Sequence, residues 1–172
     1  MFLNRILGVF KLSVATFEEI EHDPNATGQA AILVGITAVL AAFGSGFSAA
    51  FAGNSFFGSF IGTLIWTFIG WFLWALVSYL IGTGLFNGQA TLDEMLRVIG
   101  FAYAPQMLAI IPLCGSLIGF IWSLLAGFIA IRQGLDLDDI RAFLTILVGF
   151  AVYAVGYLIL AAFLGSFGLF FR

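Results

Sequence analysis

The feature that most constrains this chain is an uninterrupted stretch from Pro24 to Leu92 without one charged side chain. Two further uncharged stretches follow, Val98–Ile131 and Ala142–Phe171. A helix that crosses a bilayer needs about 20 predominantly apolar residues. Because a backbone in lipid must satisfy its own hydrogen bonds, stretches of this length predict helices, and the alternation typical of membrane β-strands is absent. The first uncharged stretch has room for two spans, the second for two short spans and the third for one.

The composition agrees with a membrane protein. Of 172 residues, 62% are hydrophobic and 9% charged, and the mean hydropathy is +1.14. A soluble domain of this size carries about a quarter charged residues, so a soluble enzyme and a disordered chain are excluded. The net charge of -3 offers no basic surface for nucleic acid. The single cysteine, Cys114, excludes an intramolecular disulfide and a cysteine metal cage.

We therefore predict an all-α, polytopic membrane protein with five transmembrane helices in a domain covering residues 23–172. The spans lie at about residues 27–50, 57–86, 92–111, 116–132 and 137–164. Asn87 and Gly88 form a turn that ends the second span. Thr91 and Glu94 have the spacing of a capping box, which starts the third.

Signals later in the chain set the remaining boundaries. Pro105 is expected to kink the third helix, because proline removes a backbone donor and crowds the preceding turn. A tight turn at Pro112–Gly115 leads out of that helix. Asp136 is expected to cap the fifth helix.

Residues 1–22 have a different pattern, which predicts an amphipathic helix lying in the membrane interface. Its apolar residues recur at helical spacing: Leu3, Ile6, Leu7, Phe10, Val14 and Phe17. A signal peptide is the alternative. Lys11 interrupts the apolar stretch and no small-residue cleavage site follows, which favours the interfacial helix.

Five spans place the two termini on opposite sides of the membrane. The N-terminal segment and the loops after the second and fourth spans then share one side with all nine carboxylates. That side also holds five of the six basic residues, namely Arg5, Lys11, Arg97, Arg132 and Arg141. The positive-inside rule predicts a cytoplasmic N-terminus and an extracytoplasmic C-terminus, in the plasma membrane if the source is prokaryotic.

The sequence offers little chemistry at membrane depth. Apart from their cytoplasmic ends, the predicted spans contain no acid, base or histidine. We predict no catalytic, cofactor-binding or metal-binding residues, hence no enzyme. Glu18 and His22, four positions apart, could face one cation, but two ligands without a third are little evidence of a metal site. A solvated connector, in which Asp23 caps a helix opened by Pro24, is the simpler interpretation.

A ladder of small residues runs along the fourth span: Gly115, Gly119, Ser123 and Gly127. Small side chains at four-residue spacing let a second helix approach closely. The partner helix belongs either to this chain or to a second copy of it.

The sequence resembles the Yip1 family of membrane proteins. Residues 17–30, with Asp23-Pro24 and Thr27, are similar to the entry to that family's first span, and residues 97–105 are similar to its glycine–aromatic–proline signature. The resemblance implies five spans and a short outside tail. Eukaryotic members act in vesicle traffic and bind Rab-type GTPases, but the long N-terminal region of those members, with its Asp-Leu-Tyr-Gly-Pro motif, is missing. We expect a compact, prokaryotic-type member.

We therefore expect a non-enzymatic protein that acts through protein or lipid contacts in membrane organisation or trafficking. The alternative is a small permease or channel for a neutral or apolar solute, with Pro105, Pro112 and glycine-rich helices forming its path. The expected partners are the bilayer, a membrane or cytoplasmic protein, or a second copy. The expected contact face comprises Glu18, Glu19, Glu21, Asp23, Asp93, Glu94, Arg97, Arg132 and Asp136. Within it, Asp93 and Arg97 are expected to form a surface ion pair.

Overall fold

The computed structural model describes residues 2–111 and 114–170, with side chains as far as Ile159 apart from Tyr157. Within these residues the chain is helical, without β-strands. The helices are α1 (Phe2–Phe10), α2 (Val14–His22), α3 (Ala26–Phe51), α4 (Phe56–Phe86), α5 (Leu92–Ala102), a 3-10 helix (Ala104–Ile110), α6 (Cys114–Gly134) and α7 (Asp139–Phe170). The predicted turn residue Pro112 and the C-terminal Arg172 lie outside the described residues.

Four helices among the described residues are long and apolar enough to cross a membrane. They are Ala26–Phe51, Phe56–Phe86, Cys114–Gly134 and, within α7, Asp139–Gly156. The first two agree with the predicted spans to within one residue at each end.

The third predicted span is not a continuous helix. α5 ends at Ala102, and Pro105 lies in the first turn of the 3-10 helix that follows. Proline has no N–H to donate, and its ring clashes with the carbonyl four residues earlier. The expected kink is therefore a complete break, and the single helix predicted over residues 92–111 is wrong.

α5 and the 3-10 helix lie in the middle of the bundle. They pack against α1, α3, α4 and α6, and the α5 side chains of Met95, Val98 and Phe101 are fully buried. The broken segment runs in the same direction as α3. Thr27 bonds to Asp93 at the start of α5, whereas the backbone of Ala109 lies against Gly44, further along α3.

Glycines allow the 3-10 helix to lie this close to its neighbours. A Cβ atom at Gly44 would collide with the carbonyl oxygen of Ala109, and one at Gly115 with that of Leu108. At Gly119 a Cβ atom would lie 2.8 Å from the carbonyl oxygen of Pro105. Two members of the predicted ladder thus pack within this chain.

The N-terminal segment forms two helices rather than the single one predicted. α1 ends at a left-handed residue, Leu12 (φ 55°), and the N–H of Ser13 bonds to the carbonyl of Gly8 at 3.0 Å. The face of α1 that packs on the bundle contains Arg5, Gly8 and Val9. Leu3 and Leu7, from the predicted apolar stripe, are 71% and 57% exposed. Ile6 and Phe10, in contrast, are partly buried against the core, and Phe17 is fully buried. The predicted stripe therefore divides into a packed part and an exposed part.

Two capping predictions have different outcomes. The capping box is confirmed: the Thr91 hydroxyl accepts from the N–H of Glu94, and the Glu94 carboxylate accepts from the N–H of Thr91. Asp136, in contrast, does not cap α7. It is left-handed (φ 52°) and ends α6, while Asp138 accepts from the N–H of Arg141 at 2.9 Å. A left-handed residue at this place lets the carbonyls that end α6 be satisfied within the turn.

Candidate interaction face

The nine predicted contact residues lie at three junctions: α2 with α3, the start of α5, and α6 with α7. We call this group of junctions the charged end. Glu18, Glu19, Asp93 and Asp136 are exposed; Asp23, Glu94 and Arg132 are half-buried; Glu21 and Arg97 are buried. The fully exposed members of the predicted contact face are therefore all carboxylates.

Arg97 lies inside the charged end instead of at its surface. Its Nε donates to the backbone carbonyl of Glu21 at 2.8 Å, and its Nη1 donates to Asp93 Oδ2 at 2.7 Å. Nη2 lies 3.6 Å from a carboxylate oxygen of Glu94. Arg97 thus ties α2 to α5, and its pair with Asp93 is not the simple surface pair that we expected.

Arg5 is a second buried arginine, and the sequence pattern did not indicate its burial. The side chain is 2% exposed and donates to three groups: Glu19 at 3.0 Å, Gln29 at 3.0 Å and Asp23 at 2.7 Å. This guanidinium lowers the pKa of the Asp23 carboxyl, and the N–H of Asn25 does so as well. Arg5 therefore holds α1 against the junction of α2 and α3.

Glu21 has a buried carboxyl that forms no ion pair with an arginine or lysine among the described residues. Burial raises its pKa to about 7, and the neighbouring carboxylates of Asp136 and Glu94 add to the shift, against the effect of His22. Charge is costly in this position because little water remains to solvate it. Glu21 is part of the packing between α2 and the α6–α7 junction and is not free to meet a partner.

Comparison with protein families gives a specific match. The model of the Yip1 domain matches residues 7–171. The chain belongs to the Yip1 family. Comparison with curated proteins and with solved structures gave no significant match. The family and the apolar helices together make this chain a multi-pass membrane protein.

The stretch that carried the resemblance to Yip1 proteins lies at the centre of the fold. Residues 97–105 begin at the buried Arg97 and end at the helix break. Between them, Gly100 lies against α3 and α4: a Cβ atom there would be 2.8 Å from Ala30 and 3.1 Å from the indole nitrogen of Trp71. That nitrogen donates to the carbonyl of Leu96 at 2.9 Å. In this Yip1 chain, the stretch therefore has a packing role.

The α6–α7 junction contributes exposed charge to the same end of this Yip1 protein. Arg132 pairs with Asp139 at 2.7 Å, and Arg141 pairs with Asp138 at 3.2 Å. Exposed pairs of this kind contribute at most about 1 kcal/mol to stability. Asp136 adds an exposed carboxylate beside them.

The charged end has no feature of a metal centre in the described residues. They include no group of three or more histidine, cysteine, aspartate or glutamate side chains that could hold an ion. His22, which lies four positions after Glu18, places its Nδ1 2.9 Å from the backbone carbonyl of Glu18. This contact is the main reason why the pKa of His22 is raised. Glu18 and His22 therefore belong to helix α2, which packs on the bundle through Phe17, Ile20 and Glu21.

A cavity of about 460 Å³ lies away from the charged end, between α4, α6, α7 and the break after α5. Its walls include Ser123 and Gly127, the other two members of the small-residue ladder. A Cβ atom at Gly127 would meet no atom within 4 Å. Gly115 and Gly119 thus pack against the 3-10 helix, whereas Ser123 and Gly127 line the cavity.

Proposed function

We propose that this Yip1-family chain is a non-enzymatic membrane protein that acts in membrane organisation or trafficking by binding a partner at its charged end. The observation that carries the proposal is the distribution of charge there. Arg5 and Arg97 are buried in structural contacts, where they pair with carboxylates of the chain itself, Glu19 and Asp23 for Arg5 and Asp93 and Glu94 for Arg97. Glu18 and Asp136 face outward and form no ion pair within the part of the chain that the structure describes. A basic patch on a protein is the best electrostatic match to such a surface.

We further propose that the broken segment of α5 and the 3-10 helix is a fifth pass. Its contacts with α3 extend from Thr27 to Gly44, which is about 25 Å of helix at about 1.5 Å per residue. The hydrocarbon core of a bilayer is about 30 Å thick. Irregular backbone at this depth is tolerated where protein surrounds it, and the 3-10 helix packs against α3 and α6.

A fifth pass places the charged end in the cytoplasm. The loops after α4 and α6 and the N-terminal helices then lie on one side, and the positive-inside rule assigns this side to the cytoplasm. The C-terminus is extracytoplasmic, and in a prokaryote the membrane is the plasma membrane.

The proposal is tested by neutralising exposed carboxylates that support no ion pair. The double variant Glu18→Gln, Asp136→Asn removes two surface charges, and asparagine tolerates the left-handed backbone at position 136. Affinity capture from native membranes, quantified by mass spectrometry, should lose basic partners with this variant. Asn54→Ala, in the loop between α3 and α4, is the control and should leave capture unchanged. Equal capture by the parent and the double variant would contradict the proposal.

The cavity favours a second candidate function, a permease or channel for a neutral or apolar solute. Purified protein in liposomes distinguishes the two. Binding without transport predicts no saturable flux of neutral solutes above that of empty liposomes, whereas robust saturable flux would establish transport.

A further inference from the structure

The cavity lies at the level where α5 breaks. Trp74 on α4 and Phe150 on α7 form one wall, with ring centroids 5.0 Å apart. Tyr103 and Gln106 approach from the break, and Ser123 from the middle of α6. A space of about 460 Å³ is within the range of sites that hold small organic ligands, roughly 300–1,000 Å³.

Glycines help to create the space, because one position in each of three walls carries no side chain. Gly70, Gly127 and Gly156 line the cavity from α4, α6 and α7. A Cβ atom at Gly127 or Gly156 would meet no atom within 4 Å, and one at Gly70 would meet only the Tyr103 hydroxyl, at 3.5 Å. These glycines therefore do not bring helices together, unlike Gly119.

The lining selects against charge. Among the residues that the structure describes, no charged side chain contributes to the lining, and its walls are mainly aromatic and aliphatic. An ion brought here would lose its water without gaining a counter-charge, which is costly. The polar groups are the hydroxyls of Tyr103, Ser123 and Tyr153 and the amide of Gln106. The Ser123 hydroxyl oxygen is buried and has no hydrogen-bond partner among the described residues.

Several wall residues are also accessible from outside the protein. Trp66 is 55% exposed, Phe120 53% and Tyr153 47%. They lie on apolar helices that belong in the bilayer, so the medium that reaches them is lipid hydrocarbon. The ligand best suited to this site comes from the membrane, is mostly apolar and has an uncharged group that donates and accepts hydrogen bonds.

We propose that this cavity binds a neutral lipid of the diacylglycerol class, with an acyl chain against the aromatic wall and the hydroxyl group near Ser123 and Gln106. A free hydroxyl can donate to and accept from these side chains. A phospholipid has the same chains but a charged headgroup, which the lining cannot neutralise. The inference rests on the proposed embedding of these helices in the bilayer and not on a partner at the charged end.

The test uses a diacylglycerol that carries a diazirine and an alkyne in one acyl chain, in phosphatidylcholine liposomes containing the full chain. After irradiation, peptide mass spectrometry should place adducts in residues 99–106 and 120–127. A phosphatidylcholine with the same modified chain is the parallel probe and should label these residues about tenfold less, since its charged headgroup is excluded. Equal labelling by both probes, or adducts confined to other surfaces, would overturn the proposal.

Cavity-filling and matched variants strengthen the test. Gly127→Phe places a ring in the open space and should reduce labelling by about tenfold, because ring and ligand compete for one volume. Gly62→Phe is the control, since a Cβ atom at Gly62 also meets no atom within 4 Å but this residue does not line the cavity. Labelling of Gly127→Phe at the level of the control would overturn the site.

A second variant keeps the test decisive if Gly127→Phe fails to fold. Gln106→Leu has nearly the same volume as the parent and removes the amide. It should reduce the preference for diacylglycerol over phosphatidylcholine, and an unchanged preference would overturn the role of the polar group. Partner capture at the charged end should be the same in these variants, so failure here is distinguishable from failure of the proposed function.

Discussion

The Nε–H of Arg97 lies 2.8 Å from the backbone carbonyl oxygen of Glu21, a residue 76 positions earlier in the chain. This bond joins the last turn of α2 to the central helix α5. A guanidinium supplies several donors in a fixed plane, so one side chain donates to this carbonyl and to Asp93 while it lies within ion-pair distance of Glu94. The charged end is therefore organised from inside by an arginine that no partner can reach.

Replacing Arg97 tests this organisation. Arg97→Met keeps an unbranched stem but removes the guanidinium, which leaves the Glu21 carbonyl without its donor. Loss of a buried hydrogen-bond partner costs about 1–3 kcal/mol. We expect a lower denaturation midpoint in detergent, whereas Arg141→Met, at an exposed ion pair, should change it little. Equal midpoints for the two variants would show that the Arg97 contacts contribute no stability.

The buried carboxyl of Glu21 should make the stability of the fold depend on pH. Its folded-state pKa is raised from 4.5 to about 7, so the folded protein holds this proton more tightly than the unfolded chain does. The contribution of the protonated group to stability is fully present below pH 4.5 and is lost as the pH rises to about 7. Glu21→Gln should therefore melt higher than the parent at about pH 8 and like it at about pH 4.

The control for that experiment is Glu18→Gln, which neutralises an exposed carboxyl on the same helix. It should leave the pH profile of the melting temperature nearly unchanged. A parent-like profile in Glu21→Gln would mean that the buried carboxyl pays no penalty for ionising.

Gly119 tests the contact between α6 and the broken segment. Leucine there must displace the backbone of Pro105, which lies 2.8 Å from the position of a Cβ atom. Overpacking of this kind costs about 1–3 kcal/mol, so the variant should unfold at lower denaturant concentration. Gly127→Leu, two turns further along α6, points into open space and should show no such loss. If both variants unfold at the same denaturant concentration, Gly119 does not lie in close contact with the backbone of Pro105.

Cys114 tests the proposed fifth pass. It begins α6 and its thiol is exposed. An odd number of passes before α6 puts this thiol outside, so a membrane-impermeant maleimide should label it in intact cells. Labelling only after the cytoplasmic side has been opened would contradict the combination of a fifth pass with a cytoplasmic N-terminus.

The sequence predicts most of the helices because their boundaries depend on local interactions. Asn87 ends α4 in a left-handed conformation (φ 56°), with the N–H of Gly88 bonded to the carbonyl of Gly82, as the Asn-Gly pair indicates. The capping box at Thr91 likewise involves only residues three positions apart. Charge-free stretches of about 20 residues leave few alternatives to a helix.

The break after α5 and the two buried arginines depend on contacts between distant residues. Pro105 indicates a distortion, but the 3-10 helix lies where it does because Gly44 and Gly115 let it approach α3 and α6. In the sequence, Arg5 stands out only as one of five basic residues predicted on the cytoplasmic side. Its burial depends on three acceptors that only the folded N-terminal segment brings together.

Site-specific photo-cross-linking in native membranes tests the central claim, partner binding at the charged end, most directly. A photoreactive residue replaces Gln89, an exposed residue at this end whose backbone N–H bonds to Leu135. The account predicts a protein adduct from position 89, strongly reduced by Glu18→Gln with Asp136→Asn, and no equivalent adduct from Asn54 at the opposite end. An adduct from Asn54 alone, or one at position 89 that the charge substitutions leave unchanged, would contradict it.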